Sequence, residues 1–74
     1  MAEMVFIGEY DNISKGEEEI YNRFPYKKQG ILTQFSHSKT LDGAKKIAKT
    51  HPLNPATKCF VIYDKPKDKY LIYF

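Results

Sequence analysis

The apolar residues of this chain fall into short, dense runs divided by polar stretches, and the spacing within each run separates strand from helix. Met4-Val5-Phe6-Ile7-Gly8-Glu9-Tyr10 is short, aromatic and β-branched, and the turn residues Asp11-Asn12 follow it, so it predicts a strand. Gly30-Ile31-Leu32-Thr33-Gln34-Phe35 predicts a second, with Ile31, Thr33 and Phe35 on one face. Cys59-Phe60-Val61-Ile62-Tyr63 and Lys69-Tyr70-Leu71-Ile72-Tyr73-Phe74 predict a C-terminal β-hairpin. Its turn is the polar stretch Asp64-Lys65-Pro66-Lys67-Asp68, where Pro66 suits the bend.

The spacing changes to helical over residues 41–50. At 100° per residue, Leu41, Ala44, Ile47 and Ala48 cluster on one side. Ser38 or Thr40 can cap this helix, Asp42 lies in its first turn, and Lys49 and His51 lie near its end, where Pro52 stops it. The alanines let its axis approach a sheet, whereas Gly43 costs up to ~1 kcal/mol against alanine with no reason visible in the sequence. Leu53-Asn54-Pro55-Ala56-Thr57 reads as a crossing loop. Residues 12–29 fit a short helix and an ordered loop equally. Ser14-Lys15-Gly16-Glu17 has the form of a capping box, and Ile20, Tyr21 and Phe24 make an apolar stripe. Gly16 and three adjacent glutamates weaken the helix, and Pro25 ends it.

The expected fold is α+β: an antiparallel sheet of about four strands packed on one main helix, with the second sheet face partly wet. At 74 residues the chain forms a single small domain, residues 1–74, and most large apolar side chains are needed inside it. Cys59 has no partner for an internal disulfide and reads as a small buried hydrophobe. No charged-then-apolar leader and no run near the ~20 residues of a membrane span is present, which predicts a cytoplasmic protein without membrane contact.

Charge divides unevenly along the chain. Residues 1–26 carry six acidic against two basic side chains, −4, and residues 27–74 carry ten lysines against three aspartates, +7. A compact domain with such a division has a strong dipole that orients charged partners, the mark of a binding module. Enzyme chemistry is not expected. Gly8, Gly16, Gly30 and Gly43 match no phosphate loop, and no Cys/His spacing suits a metal. His37 and His51 flank the main helix, and a set of Cys59, His51 and Asp64 can be assembled only on paper, since Cys59 is expected to be buried. The prediction is therefore no cofactor, no metal and no catalytic residue.

The candidate partner-binding residues are lysines. Lys45, Lys46 and Lys49 lie on the main helix. Asp42 stands four residues before Lys46, but Lys45 and Lys49 are a like-charged i, i+4 pair without a helical acid. Lys65 and Lys67 form a secondary patch at the hairpin turn, diluted by Asp64 and Asp68. Glu17-Glu18-Glu19 either mimics phosphates or simply solvates a helix start. Lysines with nearby tyrosines (Tyr26, Tyr63, Tyr70, Tyr73) also suit weak nucleic-acid contact. Arg23 is the one arginine, so specific guanine reading is not expected.

The stretch Ser38-Lys39-Thr40-Leu41-Asp42-Gly43-Ala44-Lys45-Lys46-Ile47-Ala48-Lys49, followed by Cys-Phe and a hairpin, resembles the layout of small phage-encoded counter-defence proteins. In particular it is similar to one type I anti-CRISPR family. The resemblance implies a protein that coats a guide-RNA complex and blocks its target DNA, with Lys45 and Lys46 in contact. The expected function is thus a non-catalytic phage or mobile-element inhibitor. Its partner would be a host protein or ribonucleoprotein complex, occluded sterically and electrostatically. The alternative is a small nucleic-acid-binding module of weak sequence specificity, and a third reading is a structural protein assembling through its sheet edges. The sequence leaves oligomeric state open.

Overall fold

The computed structural model describes residues 3–29, 32–50 and 58–74. The chain runs β1 (Glu3–Tyr10), α1 (Ile13–Arg23), a 3-10 turn (Pro25–Lys28), β2 (Gln34–Ser38), α2 (Leu41–Thr50), β3 (Lys58–Asp64) and β4 (Lys69–Tyr73). The start expected for the second strand (Gly30, Ile31), the helix-end residues His51 and Pro52 and the crossing loop lie outside the described residues.

The fold is α+β with four strands and a C-terminal hairpin, as expected, but the sheet is mixed rather than antiparallel. Its order is β1-β3-β4-β2. β1 pairs parallel with β3, from Glu3 opposite Lys58 to Tyr10 opposite Asp64, while β4 pairs antiparallel with both β3 and β2. The chain therefore crosses from one edge of the sheet to the other through α1 and returns through α2. Two crossovers of one hand running in opposite directions place their helices on opposite faces. Two helices, not one, cover the sheet.

The strands alternate accordingly. Cys59 and Val61 of β3 join Ile72, Ala44 and Ala48 on the α2 face, with Met4, Phe35, Leu41, Ile47 and Tyr70 packed around them. Phe60 and Ile62 join Ile7, Leu71, Tyr73 and Ile20 on the α1 face, with Val5, Tyr10, Ile13, Phe24 and Leu32 around them. The face expected to be partly wet is a second core. β1 bulges between Phe6 and Gly8, where Gly8 takes φ +148° and shifts the register against β3. β2 begins at Gln34, later than expected, and bulges at Phe35.

The uncertain N-terminal segment is helical. Its cap is Asn12, whose Oδ1 accepts from the Ser14 N–H at 2.9 Å, rather than Ser14 itself. Gly16 is buried where α1 crosses the sheet: a Cβ there would stand 2.8 Å from Ile62 Cδ1 and 3.1 Å from Tyr10. The glycine that weakens α1 locally is what lets it pack. Gly43 has a similar reason, since a Cβ there would collide with Ser38 Oγ.

Candidate functional site

Thr40 caps α2: its Oγ1 accepts from the Gly43 N–H at 3.0 Å and its carbonyl from the Ala44 N–H at 3.1 Å. This cap fixes which side of the helix meets the sheet. Ala44 and Ala48 are fully buried, and Lys45, Lys46 and Lys49 are exposed on the outward side. The only acid among them is Asp42, and the two ion pairs of the described residues join Arg23 to Glu19 and Lys65 to Glu9. No ion pair forms between Asp42 and Lys46, four residues apart. α2 thus presents three ammonium groups on a rigid helix without a neutralising carboxylate in contact.

α1, on the opposite face, carries Glu17, Glu18 and Glu19 against Lys15 and Arg23. The two helices thus differ in charge, three acids against two bases on α1 and one acid against three lysines on α2.

Lys65 and Lys67 do not join the helix lysines in one surface. Lys65 Nζ is 3.9 Å from Glu9 Oε2 of the neighbouring parallel strand, and Lys67 is exposed in the turn. Because β2 and β3 run in one direction, the hairpin turn lies at the end of the sheet where α2 begins, while Lys49 lies at the other end. Next to that turn, on the α2 face, Tyr63 and Tyr70 stack with centroids 4.7 Å apart, and Phe6 lies 6.4 Å from Tyr70. The Tyr63 hydroxyl donates to Asp68, and that bond, with a smaller contribution from desolvation, pushes its pKa up to about 12.

The paper triad cannot assemble. Cys59 and Asp64 sit five positions apart on β3 and so point to opposite faces, and His51 is outside the described residues. Burial pushes the Cys59 thiol up, and Lys27 only partly opposes it. Asp64 is 2 % exposed and its Oδ2 has no hydrogen-bond partner. Among the described residues no group of His, Cys, Asp and Glu converges as metal ligands do, and no pocket opens. No helix there is long and apolar enough to cross a membrane.

One group of cations was not foreseen. Lys27 Nζ lies 5.8 Å from the centroid of Phe60, and Lys58 Nζ lies 5.1 Å from that of Phe24. The two rings are themselves 4.8 Å apart. These lysines are thirty-one positions apart in sequence, and only the parallel placement of β3 beside β1 brings Lys58 under the turn that follows α1.

No protein-family model, curated protein or solved structure matches this chain.

Proposed function

We propose that this protein is a non-catalytic binding module that sets the lysine face of α2 against an acidic surface of a macromolecular partner and blocks that surface by occupying it. The observation that carries the reading is the set of exposed, unpaired Lys45, Lys46 and Lys49 on a capped helix whose other side is locked by Ala44 and Ala48. A helix anchored in this way has its backbone already ordered, so that only the lysine side chains lose freedom on binding. The three glutamates of α1, on the opposite face of the sheet, turn away from the same partner. Taken with the counter-defence resemblance, the partner is a host protein or ribonucleoprotein complex and the outcome is inhibition by occlusion.

The test is capture of host-lysate proteins by the tagged domain at physiological salt, with and without nuclease. The double reversal Lys45→Glu with Lys49→Glu should abolish nuclease-resistant capture at nearly unchanged melting temperature. Reversal of Lys65 and Lys67 should leave most of it. Capture that survives the helix reversal removes the reading.

A further inference from the structure

We propose a second binding site, separate from the α2 face, that takes the phosphate backbone of single-stranded nucleic acid with a base against Tyr26. It lies on the α1 side, at the end of the sheet where the parallel strands begin, and is built from the 3-10 turn and the first residue of β3. Lys27 and Lys58 are both half-buried, and each ammonium group lies over a ring of the packed Phe24–Phe60 pair. Neither forms an ion pair among the described residues. This holds even though Glu3 stands directly opposite Lys58 in the parallel ladder.

Partial burial raises the strength of whatever ion these ammonium groups meet, and the ring contacts hold both stems in place. Lys28, exposed, follows Lys27 in the same turn and adds to its positive charge. Arg23, one turn earlier, is already engaged by Glu19 at 2.9 Å. Tyr26 is 55 % exposed, the most exposed large hydrophobic side chain of the described residues. Its ring meets Phe24 edge-on with centroids 6.1 Å apart. This contact anchors one side of the ring and leaves over half of the residue open to solvent. Lys27 and Lys58 over the Phe24–Phe60 pair, with the exposed Tyr26 ring against Phe24, bring together the elements of single-strand binding: backbone neutralisation plus sequence-tolerant stacking. The same site has no arginine fork free for base-edge reading, so little sequence preference is expected.

The experiment is an amide NMR titration of the whole chain with an oligothymidylate at low salt, repeated with inorganic pyrophosphate. The expected result is shifts at residues 24–29 and 58–60, with affinity falling as salt rises. Each phosphate contact contributes a slope of about −0.7 in log–log form. Lys27→Gln with Lys58→Gln should lower that slope by about 1.4 and weaken binding at least about tenfold. Because that pair also covers a core ring, Lys28→Gln and Tyr26→Ala, both at exposed positions, provide an independent check. Tyr26→Ala should cost about tenfold for the oligonucleotide and nothing for pyrophosphate. The proposal is overturned if the oligonucleotide shifts no amide, if the shifts map to α2, or if pyrophosphate binds as tightly as the oligonucleotide. Since the helix reversal Lys45→Glu with Lys49→Glu leaves this site intact, loss of partner capture there and loss of oligonucleotide binding here are separable outcomes.

Discussion

On the α1 face of the sheet the interior is made of large side chains: Ile20 of the helix meets Phe60, Ile62, Leu71 and Tyr73, with Phe24 and Tyr10 at the margin. On the α2 face the helix offers Ala44 and Ala48 to Cys59, Val61 and Ile72. The strands supply most of the volume on both faces, but the helices approach them differently. α1 needs a glycine at its crossing, and α2 crosses on methyl groups. The helices' own charges differ too, three glutamates on α1 and three lysines on α2. One sheet therefore carries an aromatic core that sets stability and, behind it, a thin smooth core that fixes a charged helix.

The sharpest way to break that contrast uses neighbours in the chain. Phe60 and Val61 are both fully buried and point to opposite faces. Phe60→Ala removes the ring on which Phe24 and Lys27 pack and should cost about 3–5 kcal/mol. For a domain of this size that is most of the folding free energy. Val61→Ala should cost about 2 kcal/mol, the two lost methyl groups plus a small cavity. Urea unfolding of both variants measures the difference, and equal losses would mean that the two faces carry stability alike.

The helix glycines give the next comparison. Gly16→Ala would push a methyl group 2.8 Å from Ile62 in the aromatic core, an overpacking expected to cost about 1–3 kcal/mol despite alanine's better helix propensity. At Gly43 the obstacle is the Ser38 hydroxyl, not the core. Gly43→Ala alone should therefore be close to neutral or mildly destabilising. Combined with Ser38→Ala it should recover part of the ~1 kcal/mol propensity term, since the hydroxyl clash is gone but Thr40 Oγ1 stays 3.1 Å from the new Cβ and the Thr40 N–H loses its bond to Ser38. Thermal melting of the three variants checks the sign.

These glycines also show how far the sequence reaches. The hairpin and α2 were legible because their signals are local: alternation around Pro66, and Leu41, Ala44, Ile47 and Ala48 at helical spacing. The same spacing sets Lys45 at the border of the apolar stripe, and it is exposed together with Lys46 and Lys49. α1 stayed undecided because Gly16 and the glutamates lower local propensity, and packing against Ile62 and Tyr10 outweighs them. Once that segment is a helix, the order becomes strand-helix-strand-helix-strand, for which crossover connections and parallel pairing are the rule. The antiparallel expectation followed from leaving α1 open. Lys65 meeting Glu9, and Lys27 meeting Lys58 around two rings, depend on β3 lying beside β1, which no local pattern encodes.

Two tyrosines extend the comparison to alkaline pH. Burial first, then Glu17 and Asp64, push Tyr73 on the α1 face up to about 12. The bond to Asp68 does the same for Tyr63 on the α2 face. Both hydroxyls hold their protons more tightly folded than unfolded, where tyrosine ionises near 10. Their contribution to stability is thus complete below about pH 10 and is lost as pH rises through about 12. Phenolate absorbance against pH should show both titrating late. Asp68→Asn, which tolerates the φ of 52° at that position, should return Tyr63 toward 10 and leave Tyr73 in place. A Tyr73 that moves with Tyr63 would show that the two faces are not electrostatically separate.

The smallest expected effect separates folding from function on the α2 face alone. Lys45 and Lys49 repel each other at i, i+4, and Lys45→Glu converts that repulsion to the favourable orientation, acid before base. That gain, about 0.5 kcal/mol, is offset by the like-charged i, i+3 pair the new glutamate makes with Asp42, so the melting temperature should move by less than about 2–4 °C, and any shift should fade in high salt. The same single substitution removes one of three cations from the proposed interface. A variant that melts as the parent does and captures less partner would show that Lys45 serves the interface and not the fold. One that melts and captures as the parent does would leave Lys45 as solvent decoration on a thin core.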